Sequence, residues 1–255
     1  MIETAKVVIF DFDGVVCDST NECLVSSWNA WEKWNGRKGF RKSIEPFSSY
    51  ERDLFRSLRP RVRGAGEYYI LRRCLEEKKL IDNQLVYDQF EKKWQEHLQP
   101  FKQLFFEVRN RLRKENLDEW IGLHQVFINV ISVMKQLICD GRLYVATLKD
   151  EESVQLILAK QGLVLPQDRL LGQSQINSKL QALNIISEQT GCGKDDLVFL
   201  DDNVTHLLEP KLNGFKVYLT AWNFPFKEYL DLAAQHQIEV VSDCNLLFSK
   251  NTSSV

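Results

Sequence analysis

The chain has little of what marks a special class. Six prolines and 12 glycines in 255 residues, with no repeat, low-complexity tract or Gly/Ser linker, exclude a collagenous or disordered polypeptide. No apolar run approaches membrane-spanning length; the longest candidate, VFINVISVM, is short and broken by Asn129, and it suits a buried helix face. The opening MIETAKVVIF carries an early acid and lacks a charged-then-apolar leader, so no signal peptide is expected. Basic charge is not in excess either: 33 Lys and Arg stand against 35 Asp and Glu, net −2 with a pI near 6.1. This balance gives no overall attraction to nucleic acid or to an anionic membrane. Six cysteines, Cys17, Cys23, Cys74, Cys139, Cys192 and Cys244, lack paired spacing, and reduced thiols in the cytoplasm are expected. Four scattered histidines, His97, His124, His206 and His236, form no metal-ligand pattern. What remains, 44% hydrophobic and 27% charged residues, describes a folded globule with room for two domains, or for one domain with a large insertion.

Four short runs, KVVIF, RLYVAT, LVFLDD and FKVYLT, are apolar on consecutive positions, as strands buried on both faces must be. Helical patterns separate the last three. DEESVQLILAKQG has an acidic first turn and a glycine stop, INSKLQALNIISEQTGCG sets Leu180, Leu183 and Ile186 on one stripe, and VTHLLEPKLNG ends at Gly214. This alternation predicts an α/β fold, a Rossmann-like doubly wound parallel sheet with right-handed crossovers, formed by residues 1–15 and 123–255. Residues 16–122 hold no convincing strand and are expected to form an inserted all-helical domain. TNECLVSSWNAWEKWNG starts at Ser19 or Thr20 and stops at Gly36, and further helical stretches are expected near 66–80 and 84–114. Trp28, Trp31, Trp34, Trp94 and Trp120 fall in this insertion, where packing among helices is the expected role and a ligand-facing wall the alternative. The insertion carries a net charge of +4 and the remainder −6.

In an open parallel sheet, ligands bind beyond the carboxyl ends of the strands. The first strand ends at Asp11 and runs on to Asp13 and Gly14, the second ends at Thr147, and LVFL ends at Asp201 and Asp202. Lys179 lies near a helix start, on the same edge. Carboxylates gathered there repel by about 4 kcal/mol per pair at 4 Å and an effective dielectric of 20. A divalent cation removes that conflict, and an all-oxygen donor set suits Mg²⁺, which also screens an anionic nucleophile from an anionic substrate.

The ordered set DFDGVVCDS, LYVATLKD, Lys179 and VFLDDN resembles the four motifs of the haloacid dehalogenase superfamily, and DGVVCDS is particularly similar to its phosphoglycolate phosphatase and β-phosphoglucomutase branch. The helical insertion resembles that superfamily's C1-type cap in position and character, without readable motifs of its own. The resemblance implies Asp11 as nucleophile forming an aspartyl-phosphate, and Asp13 as general acid and base with its main-chain carbonyl on Mg²⁺. It implies Gly14 as the turn beside the site, and Thr147 Oγ, the Leu148 N–H and Lys179 as the phosphate-binding groups. Metal ligation would fall to Asp11, Asp13 and Asp202, with Asp201 a second ligand or the anchor of a metal-bound water. The implied activity is a Mg²⁺-dependent phosphatase on a small phosphorylated metabolite. A phosphosugar mutase or a non-catalytic binding module on the same fold are the alternatives. The acid at position 13 separates the chain from dehalogenases. No oligomeric state follows from the sequence.

Asp18 and Ser19 mark the entry to the insertion, where a helix cap and a part in cap closure are both open. The cluster Arg52, Arg56, Arg59, Arg61 and Arg63 is expected to be a solvated face, with recognition of a second anionic group as the alternative.

Overall fold

A computed structural model describes residues 2–79 and 81–248. The chain divides into two compact units, Met1–Asp18 with Val126–Val255, and Ser19–Gln125.

The first unit is built on the apolar runs. Strand β1 (Val7–Phe10) is buried at every position because four consecutive apolar side chains must alternate between two covered faces. After the two-residue strands β2 (Cys17–Asp18) and β3 (Gln125–Val126), the chain continues through β4 (Leu143–Ala146), β5 (Leu170–Leu171), β6 (Leu197–Asp201), β7 (Lys216–Thr220) and β8 (Glu239–Val241). Six of these form one sheet in the order β5-β4-β1-β6-β7-β8, every neighbouring pair parallel. Counted along the sheet's own strands, this is the order 3-2-1-4-5-6 of a doubly wound Rossmann-like layer. The chain builds outward from β1 in one direction, then returns to build outward in the other, so the switch point lies between β1 and β6. Their register pairs Phe10 with Leu200, which brings Asp11 and Asp201 to the same edge.

The helices of this unit are α7 (Ile128–Cys139), α8 (Glu151–Lys160), α9 (Lys179–Thr190), α10 (Val204–Leu212) and α11 (Lys227–Gln235); those of the second unit, described below, are α1 to α6. Ile9, Ala146, Phe199 and Val217 from the sheet pack with Leu183 and Ile186 of α9, Leu207 of α10 and Tyr229 of α11 in one buried cluster. The alternating residues Val8 and Phe10 face the other way and are equally buried. At about 25 cal/mol per Å² of apolar area, this two-sided burial is what fixes the strand ends in place.

The second unit contains α1 (Thr20–Trp34), α2 (Ser49–Leu58), α3 (Tyr68–Glu77), α4 (Gln84–Lys93), α5 (Gln95–Glu115) and α6 (Leu117–Gly122). Its core is aromatic: Trp31 and Trp34 meet Tyr69 edge to face at 5.4 Å, and Phe55, Tyr68 and Phe105 stack in series at 5.9 and 5.0 Å. Such geometries suit ring quadrupoles. Beneath them, buried Glu22 accepts from Arg109 Nε at 2.9 Å and Nη2 at 2.7 Å.

Several expectations change. β2 occupies 17–18, inside the stretch expected to lack strands, and β5 and β8 were not foreseen because two- and three-residue edge strands need no two-sided apolar run. The stretch 84–114 is two helices that break at Trp94. Ser19 stands at the N-cap of α1 without a capping side-chain bond. The arginine cluster is not simply a solvated face: Arg61 is buried, and Arg63 pairs with Glu67 at 3.5 Å, Asp88 at 2.9 Å and Glu91 at 2.5 Å. Among the described residues no helix is long and apolar enough to cross a membrane, and all six cysteines are free thiols.

Candidate active site

The carboxyl ends of β1, β4 and β6 carry the polar residues of the first unit's edge. Asp11 follows β1 directly, and its N–H donates to Leu200 O at 2.8 Å, extending the β1–β6 ladder by one rung. Its side chain is nearly buried, 2.6 Å from Lys179 Nζ. Lys179 is the first residue of α9, positioned there because Ser178 caps the helix by accepting from Gln181 N–H at 3.2 Å. The same ammonium lies 3.3 Å from Asp201 Oδ2 and donates to Ala146 O, the last residue of β4, at 2.8 Å. One cation therefore ties three strand ends together.

Asp201 is fully buried. Its Oδ1 accepts from Asn203 N–H at 2.8 Å, and His206 Nδ1 lies 3.2 Å from Oδ2. Burial works against its charge, but Lys179, His206 and the Asn203 amide outweigh it and hold the carboxyl below the usual carboxylate range. For Asp11 the balance reverses: burial, reinforced by the negative charge of Asp201, pushes the pKa up despite Lys179. Lys179 itself is raised, because its two carboxylates overcome the cost of burying an ammonium.

Asp13 follows after one residue, and its carboxylate meets Lys149 Nζ at 3.1 Å. Gly14 has φ +86°, a left-handed conformation that glycine adopts at least cost. A Cβ there would fall 2.7 Å from Asp202 Oδ1 and closer still to Cγ and Oδ2, so the Asp202 carboxylate occupies the space that only a glycine leaves. Thr147 is buried after β4; its N–H donates to Leu171 O at 2.9 Å, and its Oγ1 accepts from the Lys149 N–H at 3.2 Å. Leu148, between them, packs partly buried against the core cluster.

Asp11, Asp201, Lys179 and Ala146 O thus share one set of contacts, Asp13 is held by Lys149, and Asp202 lies on Gly14. Sequence reasoning missed two members. Lys149 stood in the quoted LYVATLKD run, yet its partner is 136 residues away. His206 had been set aside with the other histidines, and only the turn from β6 into α10 brings it to Asp201. Asp11, Asp201 and His206 each offer a ligand atom, all within 4.8 Å of one another.

The arrangement fits a divalent cation. Asp11, Asp13, Asp201 and Asp202 against Lys149 and Lys179 leave a formal charge of −2. Both Asp201 oxygens are already engaged by Asn203, His206 and Lys179. Asp11 and Asp202 both offer carboxylate oxygen, which Mg²⁺ prefers.

No protein-family model matches the chain, and no curated protein matches its sequence. Solved structures do. A predicted phosphoglycolate phosphatase from Haemophilus somnus is 18% identical, with 95% of this chain and 96% of that one covered at a TM-score of 0.62. A predicted phosphatase from Clostridium acetobutylicum is 15% identical, over 96% and 97% of the two chains, at 0.61. A haloacid dehalogenase-like hydrolase from Streptococcus pneumoniae is 15% identical, over 93% of each, at 0.58. At these identities the likeness is one of fold, and it spans nearly the whole of each chain.

Proposed function

We propose that the chain, folded as haloacid dehalogenase-like hydrolases are, is a Mg²⁺-dependent phosphatase of a small phosphorylated metabolite. The observation that carries this reading is Lys179 Nζ, held between Asp11 and Asp201 at the switch point of the sheet. A nucleophilic carboxylate beside a fixed cation is what attack on a phosphate monoester requires.

Asp11 attacks phosphorus through a carboxylate oxygen. The bond from phosphorus to the ester oxygen breaks, and Asp13 donates the proton that the leaving alkoxide needs. Asp13 then takes a proton from water, the hydroxide attacks the aspartyl-phosphate at phosphorus, and phosphate departs with Asp11 restored. Lys149 Nζ, 3.1 Å from Asp13 Oδ1, would stabilise the carboxylate left when Asp13 gives up its proton. Thr147 Oγ and the Leu148 N–H would bind the phosphoryl oxygens together with Lys179. Asp11, the Asp13 main-chain carbonyl and Asp202 would hold Mg²⁺, with Asp201 behind them fixing Lys179. When bound, the metal screens the anionic substrate from the carboxylates.

Hydrolysis of p-nitrophenyl phosphate tests this. Phosphate release is expected to need Mg²⁺, to stop with EDTA, and to fall by roughly 10³-fold or more in Asp11→Asn. Turnover undiminished in Asp11→Asn would remove the nucleophile assignment and with it the reading.

A further inference from the structure

The second unit holds a cavity of about 590 Å³, walled by helices α1, α2 and α3 and the chain that follows α3. That volume is typical of small-molecule sites. Trp28, Leu54 and Leu58 supply an apolar wall, and Tyr50 stands at the same opening with 73% of its surface exposed.

Arg72 also lines the cavity, although only 5% of its surface is exposed. Its Nε donates to Ser27 Oγ at 2.9 Å, and its Nη2 donates to Ser27 Oγ at 2.8 Å and to Leu24 O. Among the described residues no carboxylate reaches it at ion-pair distance, and Nη1 has no hydrogen-bond partner. The acids nearby are engaged elsewhere. Glu51 accepts from the Ser48 N–H and hydroxyl at 3.0 and 2.9 Å, while Glu32 and Glu76 hold Arg37 at 3.2 and 2.7 Å. A second guanidinium stands close by: Arg41 lies over the Trp28 ring at 3.9 Å and the Phe47 ring at 4.2 Å, and its Nη1 is buried without a partner.

A buried guanidinium without an anion is costly, and removing one partner of a buried pair typically costs several kcal/mol. Burial pulls Arg72 down to about 9, with Glu51 offsetting this in part and Arg41 adding to it. The group therefore stays charged at neutral pH, and its own contacts are to a hydroxyl and a carbonyl, not to a carboxylate. A guanidinium that lines a cavity with aromatic and aliphatic walls, and whose Nη1 makes no hydrogen bond among the described residues, suits a monoanion with a flat apolar body. A phosphate dianion would need more donors than Nη1 offers.

We propose that this cavity is a binding site for a small aromatic carboxylate, its carboxylate on Arg72 Nη1 and its ring against Trp28 and Leu54. The proposal does not depend on the phosphatase reading.

Titration calorimetry on the full chain tests it with 1-naphthoate and its uncharged isostere 1-naphthamide. Naphthoate is expected to bind at one site per chain, about tenfold or more tighter than the amide. Arg72→Gln should erase that preference, Leu54→Trp should abolish binding of both by filling the cavity, and Asp11→Asn should leave both unchanged. The proposal is overturned by equal affinity for the two probes, by binding that survives Leu54→Trp, by loss in Asp11→Asn, or by no binding at millimolar naphthoate. Arg72 anchors two groups of α1, so if its variant does not fold, the probe pair and Leu54→Trp still decide.

Discussion

Replacing Gly14 by alanine separates what the glycine does for the backbone from what it does for Asp202. At φ +86° an L-residue is strained by about 1–2 kcal/mol. In a chain of this size that lowers the melting temperature by about 2–8 °C. The added methyl would lie 2.7 Å from Asp202 Oδ1 and nearer to Oδ2 and Cγ, whereas a comfortable contact is about 3.5 Å, so the carboxylate must retreat by more than about 1 Å. A misplacement of that size at a reacting centre can cost about 10²-fold in rate. Gly191 supplies the control. It ends α9 at φ +65°, and a Cβ there meets nothing within 4 Å, so Gly191→Ala carries comparable backbone strain and no displaced carboxylate. Both variants are expected to melt a few degrees early, and only Gly14→Ala should lose about 10²-fold of Mg²⁺-dependent turnover and need more Mg²⁺ for half-maximal rate. If Gly14→Ala kept the rate and Mg²⁺ requirement of Gly191→Ala, the assignment of Asp202 to the metal would fail.

Two further outcomes concern the helical unit. Glu22→Ala leaves the buried Arg109 guanidinium without its bidentate carboxylate and is expected to cost about 3–5 kcal/mol in urea denaturation, while Glu22→Leu with Arg109→Met should recover most of it. A loss under about 1 kcal/mol would show that the pair is not sealed from water. Glu67 is raised by burial, which Arg63 and Tyr87 only partly offset. Its folded pKa therefore exceeds its unfolded value, and its contribution to stability is full below about pH 4.3 and is lost as pH rises through the folded pKa. Relative to the native chain, Glu67→Gln should gain stability between pH 4 and 7 in paired melting curves, and a pH-independent or reversed difference would contradict the assignment.

Much of the first unit was legible because its signal is local. Four strands announce themselves through consecutive apolar residues, and the polar residue that ends each run must lie at the sheet edge whatever the rest of the chain does. That is why Asp11, Asp13, Thr147, Asp201 and Asp202 could be named before any distances were known, while Lys179 was named from a helix start expected on the same edge. The short edge strands gave no such signal, since Glu239 and Val240 are exposed and need no apolar alternation. In the helical unit the amphipathic pattern runs through Trp94 without a breaker, so one helix was expected where two occur.

What the sequence by itself determined is the inventory of chemistry at the strand ends, because order along a strand is also order in space. Only the tertiary structure decided which charge meets which. Strand order 3-2-1-4-5-6 brings β1 against β6, nearly 190 residues apart in the chain, and so sets Asp11 and Asp201 on one lysine. The turn after β6 selects His206 from four histidines, and the packing of α1 against α3 buries Arg72 without an acid. Each of these pairings joins segments distant in sequence, and the energy of such a pairing depends on burial and separation, which no local pattern encodes.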